Sequence, residues 1–226
     1  MKLDQKHIYK IESINLIQEI RLIHALSKFY NLSVSTSVND KLQYLINNFN
    51  INFSTITNTD ISLFSIIKLD HKTPYININD INYNLIFSND FINFFYNKWD
   101  TKSINIIFIG LITAKRKVIL QNLNVNILII NSTAGRHFPN KAFDMLYYNN
   151  LLQAKFTLCL DGDFIWTYRF FEAIMCGSIP IIQNMCDLYI GFKYYTINDI
   201  GNLHYSKEMI IHNYQLLLLK FTLKEI

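Results

Sequence analysis

The feature that most constrains this chain is a set of short apolar runs without polar alternation, at 104–110, 125–130, 156–160 and 179–182, separated by stretches of helical length. A strand that is apolar at every position is buried on both faces, and such strands belong to parallel sheets with helices on either side. The intervening stretches 113–123, 143–154 and 167–176 suit the crossover helices that parallel strands require. Gly110 ends the first run, the turn Asp161, Gly162, Asp163 follows the third, and Gly177 stands where the left-handed residue after a helix belongs. A run at 194–197 adds a further expected strand and 205–221 a closing helix. The expected class is α/β.

The first half reads less clearly. Isoleucines at 11, 14, 17, 20 and 23, broadened by Leu16, Leu22 and Leu26, predict a helix over 8–29. Strands are expected at 32–37 and 51–57, with a helix at 41–48 between them and another at 92–99. Between 60 and 90 the alternation from Tyr75 to Asn79 fits a strand and an Asn-rich loop equally. A boundary at 100–103 divides the chain into an N-terminal α/β domain, 1–99, and a C-terminal one, 100–226. Two successive α/β halves match two small Rossmann-like domains, the C-terminal one a parallel sheet covered by helices and the N-terminal one reduced.

Composition excludes several classes. Half of the 226 residues are hydrophobic, 17% are charged, and Gly and Pro together number nine, which rules against disorder, collagen-like repeats and coiled coil. The 37 Ile and 27 Asn are read as codon bias of an AT-rich genome, not as chemistry. A net charge of +4, with Lys115, Arg116 and Lys117 as the one dense basic cluster, is too little for a duplex nucleic-acid face but enough for a small anion such as a nucleotide diphosphate. Cys159, Cys176 and Cys186 have no C-x-x-C spacing and no histidine at ligand distance, so free thiols in a reducing compartment and no metal site are expected. The N-terminus builds no secretory apolar core and no run approaches a membrane span of about 18 residues, so a cytoplasmic chain is expected. The sequons at Asn31, Asn52 and Asn131 then count as accidents of composition. G-x-G-x-x-G and Walker A motifs are absent, which weighs against dehydrogenase and P-loop readings.

Ligands of open parallel sheets bind outside the carboxyl ends of the strands, where helix N-termini offer free N–H groups. The stretch from Asp161 to Glu172 runs from a strand end through a glycine turn into a helix. Arg169 and Glu172, three apart, share a helix face. A guanidinium there suits a diphosphate, and a carboxylate one turn on suits the two hydroxyls of a ribose. An intrahelical ion pair is the alternative for the same two residues, although the surrounding Phe170, Phe171, Ala173, Ile174 and Met175 are core residues. Trp166 and Tyr168 would wall the pocket or pack the core. A general base is sought in the first half, among Asp60, Asp70, His71, Asp80 and Asp90, and His137 on the loop after the second strand of the C-terminal half is a further candidate.

The segment 154–183, AKFTLCLDGDFIWTYRFFEAIMCGSIPIIQ, resembles the C-terminal signature of exostosin-like glycosyltransferases of family 47: a KF-x-L-C strand, a glycine turn, a YR-x-x-E helix and a G-x-IP strand. Lys155, Phe156, Leu158, Cys159, Gly162, Tyr168, Arg169, Glu172, Gly177, Ile179 and Pro180 fill those places. FIGLITAKR at 108–116 resembles the opening of that family's nucleotide domain, and 191–203 the stretch after the signature. Leu160 stands where the family usually has proline, and the Asp161–Gly162 turn resembles family 90 instead. The resemblance covers about half the chain, 104–221. It implies a GT-B-like fold and metal-independent, inverting transfer of a sugar from a nucleotide diphosphate to a glycan or other hydroxyl acceptor, with no further cofactor. Arg169 and the helix start at Thr167 and Tyr168 would then hold the diphosphate, with the Gly162–Asp163 turn beside it and Lys115 or Arg116 assisting, and Glu172 would bind the ribose. A first half of 99 residues is short for such an enzyme, so a degenerate, non-catalytic binding or scaffold protein is the alternative.

Overall fold

Tyr9 and Ile11 are fully buried while Ile8 and Lys10 are not, and this two-residue period makes Ile8–Ile11 a strand, β1. The computed structural model describes residues 3–70, 72–84, 86–99, 101–131 and 145–223 and divides them into two units. Unit 1 holds 3–91 and 220–223, and unit 2 holds 92–131 and 145–219. The helix expected at 8–29 is therefore a strand, a connection and a shorter helix, α1 (Ile17–Leu26). Isoleucine is so abundant here that its three-residue recurrence ran through both elements.

Unit 1 continues with β2 (Asn31–Val34), α2 (Thr36–Lys41), α3 (Gln43–Phe49), β3 (Ser54–Thr55), β4 (Ile61–Ser62) and α4 (Leu63–Ile66). The four strands form a wholly parallel sheet in the order β3-β2-β1-β4. Ser35 caps α2, its hydroxyl accepting from the Val38 N–H at 3.3 Å. Strands β5 (Ile67–Leu69), β6 (Tyr75–Ile78) and β7 (Ile81–Asn84) form an antiparallel meander. The alternation from Tyr75 is thus a strand, with Ile76 and Ile78 buried. Asn79 and Asp80, at φ 51° and 65°, make the two-residue turn that such a hairpin favours. Helix α5 (Asn89–Tyr96) carries the chain from unit 1 into unit 2, and the expected boundary at 100–103 lies just past it.

Unit 2 contains β8 (Ile104–Gly110), α6 (Ala114–Asn122), β9 (Leu128–Asn131), α7 (Met145–Gln153), β10 (Ala154–Cys159), α8 (Tyr168–Met175), β11 (Ile179–Ile182), β12 (Tyr195–Thr196) and all but the last two residues of α9 (Lys207–Phe221). The α/β class, with parallel sheets flanked by helices in both units, is as expected. The five strands are all parallel, in the order β9-β8-β10-β11-β12. Counted within the unit this is 2-1-3-4-5, a doubly wound order whose direction of growth reverses between β8 and β10. One face, lined by Ile106, Phe108, Phe156, Leu158, Ile179 and Ile181, packs on Leu120 of α6 and Ile210 of α9. Helices α7 and α8 pack on each other and on β10. Each of the fully buried isoleucines contributes about 1.5–3 kcal/mol relative to an exposed one. Strand β9 departs from the reading that made it buried on both faces, because it is the edge strand and its Leu128 and Ile129 are exposed.

Helix α8 ends as its sequence indicates. Gly177 takes φ 63°, its N–H bonds the Ile174 carbonyl, and the Ser178 N–H reaches back to Ala173, which together make a Schellman closure. The Trp99 ring lies against Gly177, so that an added Cβ would come within 2.5 Å of it. Lys102 braces the same end of the sheet, its Nζ donating to the carbonyls of Leu152 and Cys176 at the last turns of α7 and α8. Burial lowers that amine to about 7.

Two expectations follow. Gly177→Ala pays the left-handed backbone penalty of about 1–2 kcal/mol and must also displace Trp99, so its urea midpoint falls by more than the backbone term alone. In unit 1, His24 is buried against Phe49, ring centroids 4.3 Å apart, and its Nε2 has no hydrogen-bond partner. Burial lowers its pKa to about 4, with Asp90 opposing and Lys28 assisting. An unfolded histidine titrates near 6.5, so the unfolded state binds the extra proton between pH 6.5 and 4 and stability falls across that window. The loss from this group reaches about 3 kcal/mol, and His24→Phe removes it, which denaturation at pH 7 and pH 4.5 measures.

Candidate functional site

The carboxyl ends of β8 and β10 meet at the reversal point of the unit 2 sheet. Their register pairs Ile107 with Thr157, which carries Gly110 beside Leu160. Strand carbonyls at such an edge point out of the sheet and need donors. Arg116 supplies them. Thr113 caps α6, and from its first turn Arg116 donates through Nε to the Asp161 carbonyl at 2.8 Å, through Nη1 to Leu111 at 2.9 Å and through Nη2 to Leu160 at 3.1 Å. Arg116 is a buried residue, whereas Lys115 beside it is exposed.

Arg169 arrives at the same edge from α8. Thr167 caps that helix, its hydroxyl accepting from the Arg169 N–H at 3.3 Å, and the buried Tyr189 hydroxyl accepts from the Thr167 N–H at 2.9 Å. The Arg169 guanidinium occupies the space a side chain at Gly110 would fill, so that an added Cβ would overlap Nη2. Both guanidinium carbons lie over the Phe108 ring, Arg169 at 5.1 Å and Arg116 at 5.9 Å from its centroid. The two cations differ in one respect. Arg116 has carbonyl partners, but Nε and Nη1 of Arg169 are buried and donate to no acceptor in the described structure.

Glu172 is buried at 4% exposure and is tied to α7. Its Oε2 accepts from Tyr147 at 2.6 Å and its Oε1 from Tyr148 at 3.2 Å. No ion pair joins it to Arg169 among the described residues. Burial, with the Glu172 carboxylate beside it, holds the Tyr147 phenol well above its ordinary value. Burial likewise pushes the Cys159 thiol up to about 12, against the pull of Arg169. Cys159, Cys176 and Cys186 are all free thiols. Tyr168 is half-buried, with its ring edge-on to Trp166 at 5.1 Å. Gly162 and Asp163 are exposed on the turn after β10.

The expected residues thus separate. Arg169, Arg116, Thr167 and Gly162 sit around one strand edge, Lys115 stands at the start of α6, and Glu172 turns inward to the tyrosines. Sequence reasoning missed Gly110 as a cradle, Phe108 as the platform, and the Tyr147–Tyr148 pair. It also missed Asp161 and Asn184, whose Oδ2 and Nδ2 lie 2.5 Å apart. Only Gly110 carried a signal, a glycine closing an otherwise apolar strand. Of the candidate bases, Asp60 is buried in unit 1 and accepts from Ser33 at 2.6 Å and from the Thr57 N–H at 2.7 Å, bonds that hold its carboxyl below the usual range. Asp70 and Asp80 are exposed, and Asp90 pairs with Lys28. His71 and His137 lie outside the described residues. No group of three or more His, Cys, Asp or Glu among the described residues is placed to hold a metal ion, and no described helix is long and apolar enough to cross a membrane.

The packing of Arg169 on Gly110 yields a direct test. Gly110→Ala keeps every charge but forces the guanidinium aside, so inorganic pyrophosphate is expected to bind about tenfold more weakly in calorimetry, at unchanged stability within about 1 kcal/mol. A stability loss without a binding change would show that the guanidinium is only packing.

No family model matches the chain, and no curated protein matches it in sequence. Among solved structures, the β-Kdo 2,7-transferase KpsC of Thermosulfurimonas dismutans is similar over 92% of this chain and 90% of that one, at 12% identity and a TM-score of 0.29.

Proposed function

We propose that unit 2 holds the diphosphate of a nucleotide sugar at the carboxyl ends of β8 and β10, and that the chain is a glycosyltransferase passing the sugar to a hydroxyl acceptor. The observation that carries the reading is Arg169, a cation with two buried and unpartnered N–H groups at the reversal point of a doubly wound sheet. A buried donor of this kind is costly unless an acceptor arrives, and a phosphate oxygen is the acceptor that matches the guanidinium fork. The start of α8 adds a partial positive charge on the same side.

In the reaction, the bond from the anomeric carbon to the diphosphate oxygen breaks as the acceptor oxygen bonds to that carbon. The acceptor proton passes to a base and the diphosphate leaves with its charge increased. Arg169 would stabilise that growing charge, with the nearby charge of Arg116 assisting, so leaving-group stabilisation would come from guanidinium groups, in keeping with a metal-independent, inverting exostosin-like transferase. Lys115, exposed on the first turn of α6, adds long-range attraction. Glu172 remains a proposal for the ribose, but its hydroxyls would have to displace Tyr147 or Tyr148 from the carboxylate.

A non-catalytic nucleotide-sugar binder is the second reading, favoured by Asp60. Among the described candidate bases it is the buried one, and its two donors hold its carboxyl below the usual range and so weakly basic. Calorimetry with uridine and guanosine diphosphates and their sugars tests the binding. Arg169→Ala is expected to weaken binding at least tenfold, about 1.4 kcal/mol or more, with Arg169→Lys in between because it keeps charge but loses the fork. Failure of folded wild type to bind any of them would remove the proposal. Product formation with a panel of hydroxyl acceptors then separates transferase from binder.

A further inference from the structure

We infer that Asp161, with Asn184 beside it, is the subsite that reads the hydroxyls of the ligand whose phosphates Arg169 holds. The inference rests on the anion reading and adds which protein group recognises the uncharged, polyol part. Asp161 directly follows β10, and its backbone carbonyl takes the Arg116 Nε. Its Oδ2 accepts from Asn184, which follows β11. Its Oδ1 is buried and accepts from nothing in the described structure. The ends of β8 and β10 therefore carry two opposite deficits, donors without acceptors on Arg169 and an acceptor without a donor on Asp161.

They do not cancel each other, since no ion pair joins them among the described residues. A single ligand carrying an anion and neighbouring hydroxyls satisfies both. Hydroxyl groups suit the Asp161 oxygen, because a carboxylate accepts up to about four hydrogen bonds and a hydroxyl donates one without bringing a second charge near Arg116. Burial raises the Asp161 carboxyl, partly offset by Asn184 and Arg116, and a donor at Oδ1 would lower it. A side chain at Gly162 would come within 3.1 Å of Arg116 Nη2, so glycine keeps the turn after Asp161 compatible with the Arg116 bonds. Glu172 is the weaker candidate for the same task, both of its oxygens being engaged by phenols.

Vicinal hydroxyls occur on the nucleotide ribose and on the transferred sugar, and calorimetry distinguishes the two. The ligands are inorganic pyrophosphate, uridine and guanosine diphosphates, their 2′-deoxy counterparts and their diphosphate sugars. The proteins are the wild type, Asp161→Ala, the volume-preserving Asp161→Asn and Asn184→Ala. Pyrophosphate is expected to bind Asp161→Ala within twofold of wild type, while a hydroxyl-bearing ligand binds at least tenfold more weakly. Asp161→Asn and Asn184→Ala should lose a smaller, few-fold part and carry the test if Asp161→Ala does not fold. Recognition of the ribose shows as a deficit already present with the plain diphosphates and reproduced in wild type by the 2′-deoxy analogues. Recognition of the sugar appears only with the diphosphate sugars. Equal weakening of pyrophosphate would overturn the inference and leave Asp161 as a support for Arg116. Unchanged binding of every ligand in all three variants, with Arg169→Ala still inactive in binding, would overturn it and leave the anion site standing. Absence of any wild-type binding would remove the anion reading and this inference together.

Discussion

Arg116 donates to the carbonyls of Leu111, Leu160 and Asp161, and the rest of the unit 2 edge is arranged around those bonds. A parallel sheet buried on both faces solves its packing at the expense of its ends, where backbone carbonyls leave the ladder while still shielded from water. One guanidinium meets three of them at once and so fixes the end of β8 against the end of β10. Without that tie the turn after β10 would lose its anchor, and with it the positions of Asp161 and Gly162. The Thr113 cap sets where α6 begins, and hence how far Arg116 reaches.

That arrangement makes the second arginine notable. Two guanidinium groups lie within 6 Å of the Phe108 ring centroid, Arg169 at 5.1 Å and Arg116 at 5.9 Å. Arg116 offsets its cost through carbonyl oxygens. Arg169 has the ring and the space over Gly110, which favour packing but supply no acceptor for Nε and Nη1. Each buried donor left unmade costs about 1–3 kcal/mol, so the fold tolerates a local deficit that packing elsewhere must cover. Functional sites are where such deficits are expected, because a group already satisfied has nothing left to give a ligand.

Legibility in the sequence followed the same division between packing and site chemistry. The strands at 104–110 and 179–182 could be read to the residue because a strand buried on both faces is apolar along its length, as β11 is throughout and β8 is from Ile106 onward. Gly177 was readable because a helix end demands a left-handed residue and glycine takes it without penalty. In unit 1 the signal failed at β1, where an isoleucine-rich composition imitates a helical period, and at β4, which is two residues long and too short to show any period, while β3 falls within the strand expected at 51–57. At the site, Arg169 was legible as a charged residue among core residues. The direction of Glu172 was not, since nothing in a three-residue spacing says that two tyrosines of α7 will take its oxygens. Asp161 was read as part of a turn, and its orphaned oxygen emerges only when the end of β11 brings Asn184 alongside.

The opposed deficits at this edge constrain one another. If Arg169 were simply a structural cation, the economical solution would be a carboxylate within reach, and Glu172 on the same helix face is the obvious supplier. Instead two tyrosines engage the Glu172 carboxylate, and Oδ1 of Asp161 accepts from nothing in the described structure. Among the described residues, Nε and Nη1 of the guanidinium are left without an acceptor. A ligand that bound here would gain the hydrogen bonds the fold forgoes, and through linkage its binding would add to the stability of the folded state. On the proposed reading, the hydrogen bonds left unmade at this edge of unit 2 would be completed by a ligand that is anionic at Arg169 and hydroxylated at Asp161.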